Sequence, residues 1–233
     1  MRLAVDFHVH WYSQFNQQLV LNTVTNTVSS LKCDAAVLFL TERLECSFYQ
    51  QKAPAGAVKL LLHAADGLPV LLVPGFQCIT QEGLEVHALN TLIRPPEKLS
   101  LADTVKSVIE SGARAVIPFG VGKWFGRRGK VLDAFLNTPL ASQVFLSDSR
   151  HRPLGWPTPR HFSGRKILNG SDPLDLSGEE RAVLSFGSSC ELSIENIEQL
   201  DIDTLFSTPI FVNIGHRVDP FTFAMLQTKI RLC

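Results

Sequence analysis

Seven short apolar runs punctuate the chain, at residues 3–7, 35–40, 70–73, 84–89, 113–117, 144–146 and 167–168. They are rich in Val, Ile, Leu and Phe, and most lack the alternation of a half-exposed sheet. That pattern predicts strands buried on both faces, as in a parallel sheet. Helix candidates lie between them. The clearest covers 101–111, where Ser100 can cap the start, Asp103 stands at the capping-box position and Gly112 can end the helix. Leu101, Val105, Val108 and Ile109 then share one face. Residues 58–65 ahead of 70–73, and 17–31 ahead of 35–40, read as further helix–strand pairs, the latter weakened by its Thr and Asn content. Asp219-Pro220 predicts a last helix running to about residue 230.

No linker or low-complexity segment divides the alternation. It implies one α/β domain over 1–233, with 205–233 as a packing helix or extension, built as a barrel or an open doubly wound sheet. Roughly seven strands, with polar residues gathered just after them, favour the barrel, whose active site lies at the strand C-termini.

Composition narrows the function classes. The chain has 233 residues, 45% hydrophobic and 19% charged, which suits a globular core. Its 22 basic and 22 acidic residues balance, against a dedicated nucleic-acid binder. Cys33, Cys46, Cys78, Cys190 and Cys233 form no Cys-x-x-Cys pair, and read as inert small hydrophobes. No apolar leader precedes the first strand, and no run reaches the roughly 20 residues of a membrane span. The expectation is a reduced, soluble, cytoplasmic protein.

The candidate chemistry starts at Asp6-Phe7-His8-Val9-His10. Side chains two apart on a strand point the same way, about 7 Å apart along it. Two such imidazoles are half of a divalent metal site, or a hydrogen-bonded histidine pair. The later strand ends carry Thr41-Glu42-Arg43, Gly75-Phe76-Gln77, Glu85-Val86-His87, Gly122-Lys123-Trp124, Asp148-Ser149-Arg150 and Asn169-Gly170-Ser171-Asp172.

In this order the opening H-x-H, the L-E-V-H-A-L stretch and the closing N-G-S-D-P resemble the PHP (polymerase and histidinol phosphatase) superfamily. The resemblance runs from residue 3 to about 174 and implies a distorted (β/α)7 TIM-like barrel with divalent metals at the strand C-termini. It implies metal ligands at His8, His10, Gln77, His87 and Asp172, with Gln77 in place of a bridging glutamate. Arg43, Phe119 and Leu174 stand where the family has further histidines, which implies a site reduced to one ion (Zn, Mn or Fe) or to none.

The expected activity is metal-dependent hydrolysis, of a phosphoester first of all, by a metal-bound water at the barrel mouth. Asp172 or Glu42 would take the proton. Arg43, Lys123, Arg127 and Arg150 would contact a small anionic substrate. The rival is a non-catalytic relative that binds a small anion or a protein partner. Amidohydrolase-type C–N cleavage also begins with H-x-H, but the paired later histidines it needs are not evident.

Other residues take ordinary roles. The glycine- and cation-rich 119–130 stretch is an anion-holding loop or a solvated turn, and it lacks the Walker pattern. Arg150 binds phosphate or pairs with Asp148, and local pairing is the simpler choice. Trp156-Pro157-Thr158-Pro159 reads as a rigid loop that walls a pocket. His63, His161 and His216 read as structural or surface histidines.

Overall fold

The structure, a computed structural model, describes residues 1–43, 46–209 and 211–232. Cys233 lies outside them; Cys33, Cys78 and Cys190 are free thiols.

Strand β1 (Arg2–Val9) is followed by helix α1 (Gln17–Ser30) and strand β2 (Ala35–Leu40). Asn16 caps α1 by accepting from the Leu19 amide at 3.1 Å. Val20, Leu21, Val24 and Val28 form its buried stripe. The Thr23 and Thr27 hydroxyls turn back to the carbonyls of Leu19 and Thr23, so its polar residues bond within the helix. A short α2 (Phe48–Lys52) comes next.

The first departure from the sequence pattern follows. The leucines at 60–62, expected in a helix over 58–65, form β3 (Leu60–His63), which pairs antiparallel with β4 (Pro69–Val73). The Asp66-Gly67 turn, with Gly67 at φ +87°, makes this a hairpin. Pairing with β4 outweighs the helix propensity of leucine. A second hairpin joins β5 (Gly75–Ile79) to β6 (Glu85–Leu89).

Helix α3 (Leu101–Glu110) matches the sequence reading. The Ser100 hydroxyl oxygen accepts from the Asp103 amide, and Gly112 follows at φ +81°. It leads to β7 (Arg114–Pro118), α4 (Gly126–Leu136), β8 (Val144–Ser149) and β9 (Ile167–Gly170). The chain closes with β10 (Phe186–Glu191), α5 (Ile202–Ser207), β11 (Val212–Gly215) and α6 (Pro220–Leu232), whose first amides are capped by Asp219.

These strands form two mixed sheets, ordered β11-β10-β1-β2-β4-β3 and β5-β6-β7-β8-β9. The expected TIM-like barrel is not formed; the arrangement is α+β. A barrel of that kind needs every neighbour parallel, joined by crossovers of a dozen or more residues. Here β3–β4, β5–β6, β6–β7 and β1–β10 are antiparallel. The edges where closure would occur are also taken, since β10 sits on β1 and β3 on β4. Among the described residues the sheets meet at an isolated parallel bridge, Glu42 to Phe76, and where β9 lies beside β1 without a ladder.

Between them lies an apolar layer that includes Leu3, Val5 and Phe7 of β1, Val37 and Phe39 of β2, and Val116 and Leu168 of the facing sheet. Helix α1 covers the outer face of the first sheet, and α3 and α4 that of the second. No described helix is long and apolar enough to cross a membrane.

Candidate metal centre

The pairing of β1 with β2 shifts register between Asp6 and Val9. Leu3, Val5 and Phe7 face the layer between the sheets, whereas Val9 joins the cluster under α1. The irregularity therefore reverses the alternation, and carries His8 and His10 to the inner side at the strand end. Asp6 stays behind them as a buried anchor. It accepts from the amides of His8, Ser171 and Leu184 and from the Ser171 hydroxyl, which ties β1 to the segments after β9 and before β10. Burial pushes its carboxyl up to about 7, against those hydrogen bonds.

Asp172 reaches the same place from the other sheet. Its amide donates to the His8 carbonyl at 2.8 Å, and its backbone is left-handed at φ +50°, a conformation Asp tolerates better than most residues. Ser149 Oγ donates to its Oδ2 at 3.2 Å, and His151 Nε2 donates to its carbonyl at 2.8 Å. The carbonyl can only accept, so this contact fixes the His151 tautomer.

Three ligand atoms converge. His8 Nε2 and His10 Nε2 are 3.1 Å apart, and Asp172 Oδ1 lies 3.3 and 3.7 Å from them. Bonds of about 2.1 Å at tetrahedral angles separate ligand atoms by about 3.4 Å. The three therefore fit one face of a tetrahedral site, and among the described His, Cys, Asp and Glu residues they form the one group that could hold an ion.

Their protonation suits the role. Burial holds His8 down at about 3 and also lowers His10, in both cases against the pull of Asp172. Burial raises Asp172, but the field of His8, His151, His10 and Lys123 overrides it and keeps the carboxyl below the usual range. Neutral imidazoles beside an ionised carboxylate are what a divalent ion requires. On the far side of His10, Nδ1 is 3.4 Å from Thr41 Oγ1.

The other residues singled out in the sequence divide. His87 packs its ring 4.2 Å from that of His8, and burial holds its pKa well below the usual value. Both its nitrogens lack a hydrogen-bond partner, yet it is not in the converging group. Gln77, Arg43 and Lys123 line the same open cleft as His10 and Asp172, a space of about 510 Å³. Gln77 Nε2 donates to Glu85 at 3.2 Å, and Lys123 pairs with that carboxylate.

Glu42, Arg127 and Arg150 do not line this cleft. Glu42 is buried against the Tyr49 amide at the start of α2, and burial raises its carboxyl to about 7. Arg127 is exposed on α4, beside Gln81 and Glu82. Arg150 pairs with Glu179 rather than Asp148, and Asp148 is held by Arg152 and Arg217. The 126–130 glycine–cation stretch is the first turn of α4, not a loop.

Sequence reasoning missed Ser149, His151 and Tyr12, and also Phe223, Gln227 and Ile230 of α6, all of which line the cleft. Ser149 and His151 flank the Arg150 that drew notice. Nothing in the pattern of α6 points to the cleft.

No family model matches this sequence, and no curated protein matches it. A solved structure, PsfC from Pseudomonas syringae PB-5123, is similar in fold, with a TM-score of 0.55 over 99% of this chain and 98% of that one. At 15% identity the likeness speaks for the fold alone.

Proposed function

We propose that this protein is a divalent-metal-dependent hydrolase of small anionic esters, phosphate esters foremost. The observation that carries the reading is the convergence of His8 Nε2, His10 Nε2 and Asp172 Oδ1 beside an open cleft. Three protein ligands with an open position are the build of a catalytic rather than a structural site. A bound ion there would act as a Lewis acid and lower the pKa of water.

The remaining work falls to the chain. His8 and His10 act as neutral donors, and the Ser149 hydroxyl orients Asp172. Arg43 and Lys123 line the cleft where an anionic group would be drawn in. An entering oxyanion competes with Glu85 for the Lys123 ammonium. Proton acceptance falls to Asp172 or Glu85, which line the cleft, and not to Glu42, which does not.

The test is metal analysis of purified wild type and His8→Ala, with Mn, Zn and Fe supplied in turn, alongside turnover of a phosphate monoester. About one ion per chain in the wild type, lost in the variant together with turnover, is the expected result. Metal content indifferent to His8→Ala would overturn the site. A bound ion with no turnover would leave the rival, a metal-dependent binder of a small anion or a partner.

A further inference from the structure

The loop between β7 and α4 is a partition. Phe119 and Lys123 line the metal cleft, whereas Phe119, Trp124 and Phe125 also line a second cleft of about 440 Å³, together with Trp156. The floor of this second cleft is fixed. Trp124 is buried, donates Nε1 to the Pro118 carbonyl at 3.0 Å, and meets Phe119 edge-on at 5.4 Å between ring centres. Its rim is open, with Phe125 55% and Trp156 39% exposed. A single exposed aromatic needs no explanation, but two lining one cleft beside a buried Trp present a site for an apolar group.

The two clefts adjoin at two points, so a ligand in one can reach over the partition into the other. Phe119 belongs to both, and Trp156 of the second packs 6.5 Å from Phe223, which lines the first. We propose that the second cleft is a specificity subsite for the aryl or bulky apolar part of an ester whose anionic group sits at His10, Lys123 and Asp172. The substrate class is then an aryl or similarly apolar monoester rather than a small polar phosphate. The proposal rests on the metal cleft holding the anionic end.

Calorimetric titration of the metal-loaded protein with 1-naphthylphosphonate and with methylphosphonate, whose C–P bonds an ester hydrolase does not cleave, reads the subsite without turnover. Burying one aromatic ring is worth a preference of about tenfold or more for the naphthyl compound. The double variant Phe125→Ala, Trp156→Ala should bring the two affinities to within about twofold, and Phe125→Leu, Trp156→Phe should restore most of the gap. Both positions are partly exposed, and a thermal melt checks that the fold is kept.

Equal affinities in the wild type, or an undiminished preference in the double alanine variant, would overturn the proposal. The metal reading fails separately. His8→Ala would then leave both affinities unchanged while the naphthyl preference still depended on Phe125 and Trp156, and that result would support the subsite.

Discussion

Gly170 lies so close to His8 that a β-carbon added to it would stand 2.3 Å from the His8 Cβ. Neither partner can yield easily, because the nearest atoms include the His8 backbone nitrogen at 2.6 Å and its Cα at 2.9 Å. Gly170→Ala should therefore push β9 away from β1. The expected cost is about 1–3 kcal/mol, with metal affinity lowered at the same time, since Asp172 is carried two residues beyond. Urea denaturation and a metal titration measure the two effects, and an alanine variant equal to wild type in both would show that the contact is not restrictive.

Asp172→Asn separates charge from shape. Asn tolerates the left-handed backbone and can still accept from Ser149, so the metal-free protein should stay folded, with a melting temperature lowered by loss of the ionised carboxyl that the fold favours. Metal affinity should fall by about 100-fold or more, beyond the usual effect of losing an outer-shell partner. A titration showing wild-type affinity would remove Asp172 from the ligand set.

Glu42 should lower stability as the pH rises from 4.5 to about 7, while the buried His8, His10 and His87, whose pKa values burial lowers, contribute in the opposite sense. Burial raises this carboxyl from 4.5 to about 7, opposed by the Tyr49 amide and Arg94. The fold thus favours the protonated form, whose contribution is complete below pH 4.5 and lost by about pH 7. Asp6 titrates over a similar range, so the informative quantity is the difference between wild type and Glu42→Gln. The wild-type urea midpoint should fall relative to the variant's across that window, and parallel curves would exclude Glu42 as a cause.

Asp148→Ala should be the most damaging of these changes. Arg152 is 1% exposed and makes a two-pronged pair with Asp148, at 2.9 and 2.7 Å, while Arg217 adds a third contact at 2.8 Å. Removing the carboxylate strands a buried guanidinium, at a cost of about 3–5 kcal/mol. Chemical denaturation reads this directly, and a loss below about 1 kcal/mol would mean that Arg152 finds water. Arg152 also donates to the carbonyls of Trp156 and Pro157, so the aromatic rim should loosen in the same variant.

What the sequence discloses follows from where the information lies. Apolar runs such as 35–40 mark strands because their burial is a property of the run itself. The strand at Phe186–Glu191 escaped notice because Gly187, Ser188 and Ser189 are buried by partners on both sides, β1 and β11, and not by their own hydrophobicity. The leucines of β3 misled because only the antiparallel partner decides between helix and strand there. His8 and His10 were legible from their spacing, and Asp172 only through resemblance. The irregularity that turns the two histidines inward, and the buried Asp6 that anchors them, depend on contacts between distant segments. The barrel expectation failed for the same reason: strand direction is set by connection length and by edges already filled, and run hydrophobicity carries neither.

The side-by-side placement of β9 and β1 without a ladder has a thermodynamic corollary. His8 and His10 belong to one sheet, while Asp172 follows the last strand of the other. An ion held by all three would reinforce a seam that has no ladder and that the backbone ties beside the site through the Asp172 amide and the His8 carbonyl. Separation of the sheets and occupancy of the site would then share one free-energy coordinate, each working against the other by the same amount. Whatever pries the sheets apart would release the ion, and the ion would act as a rivet beside that one backbone bond.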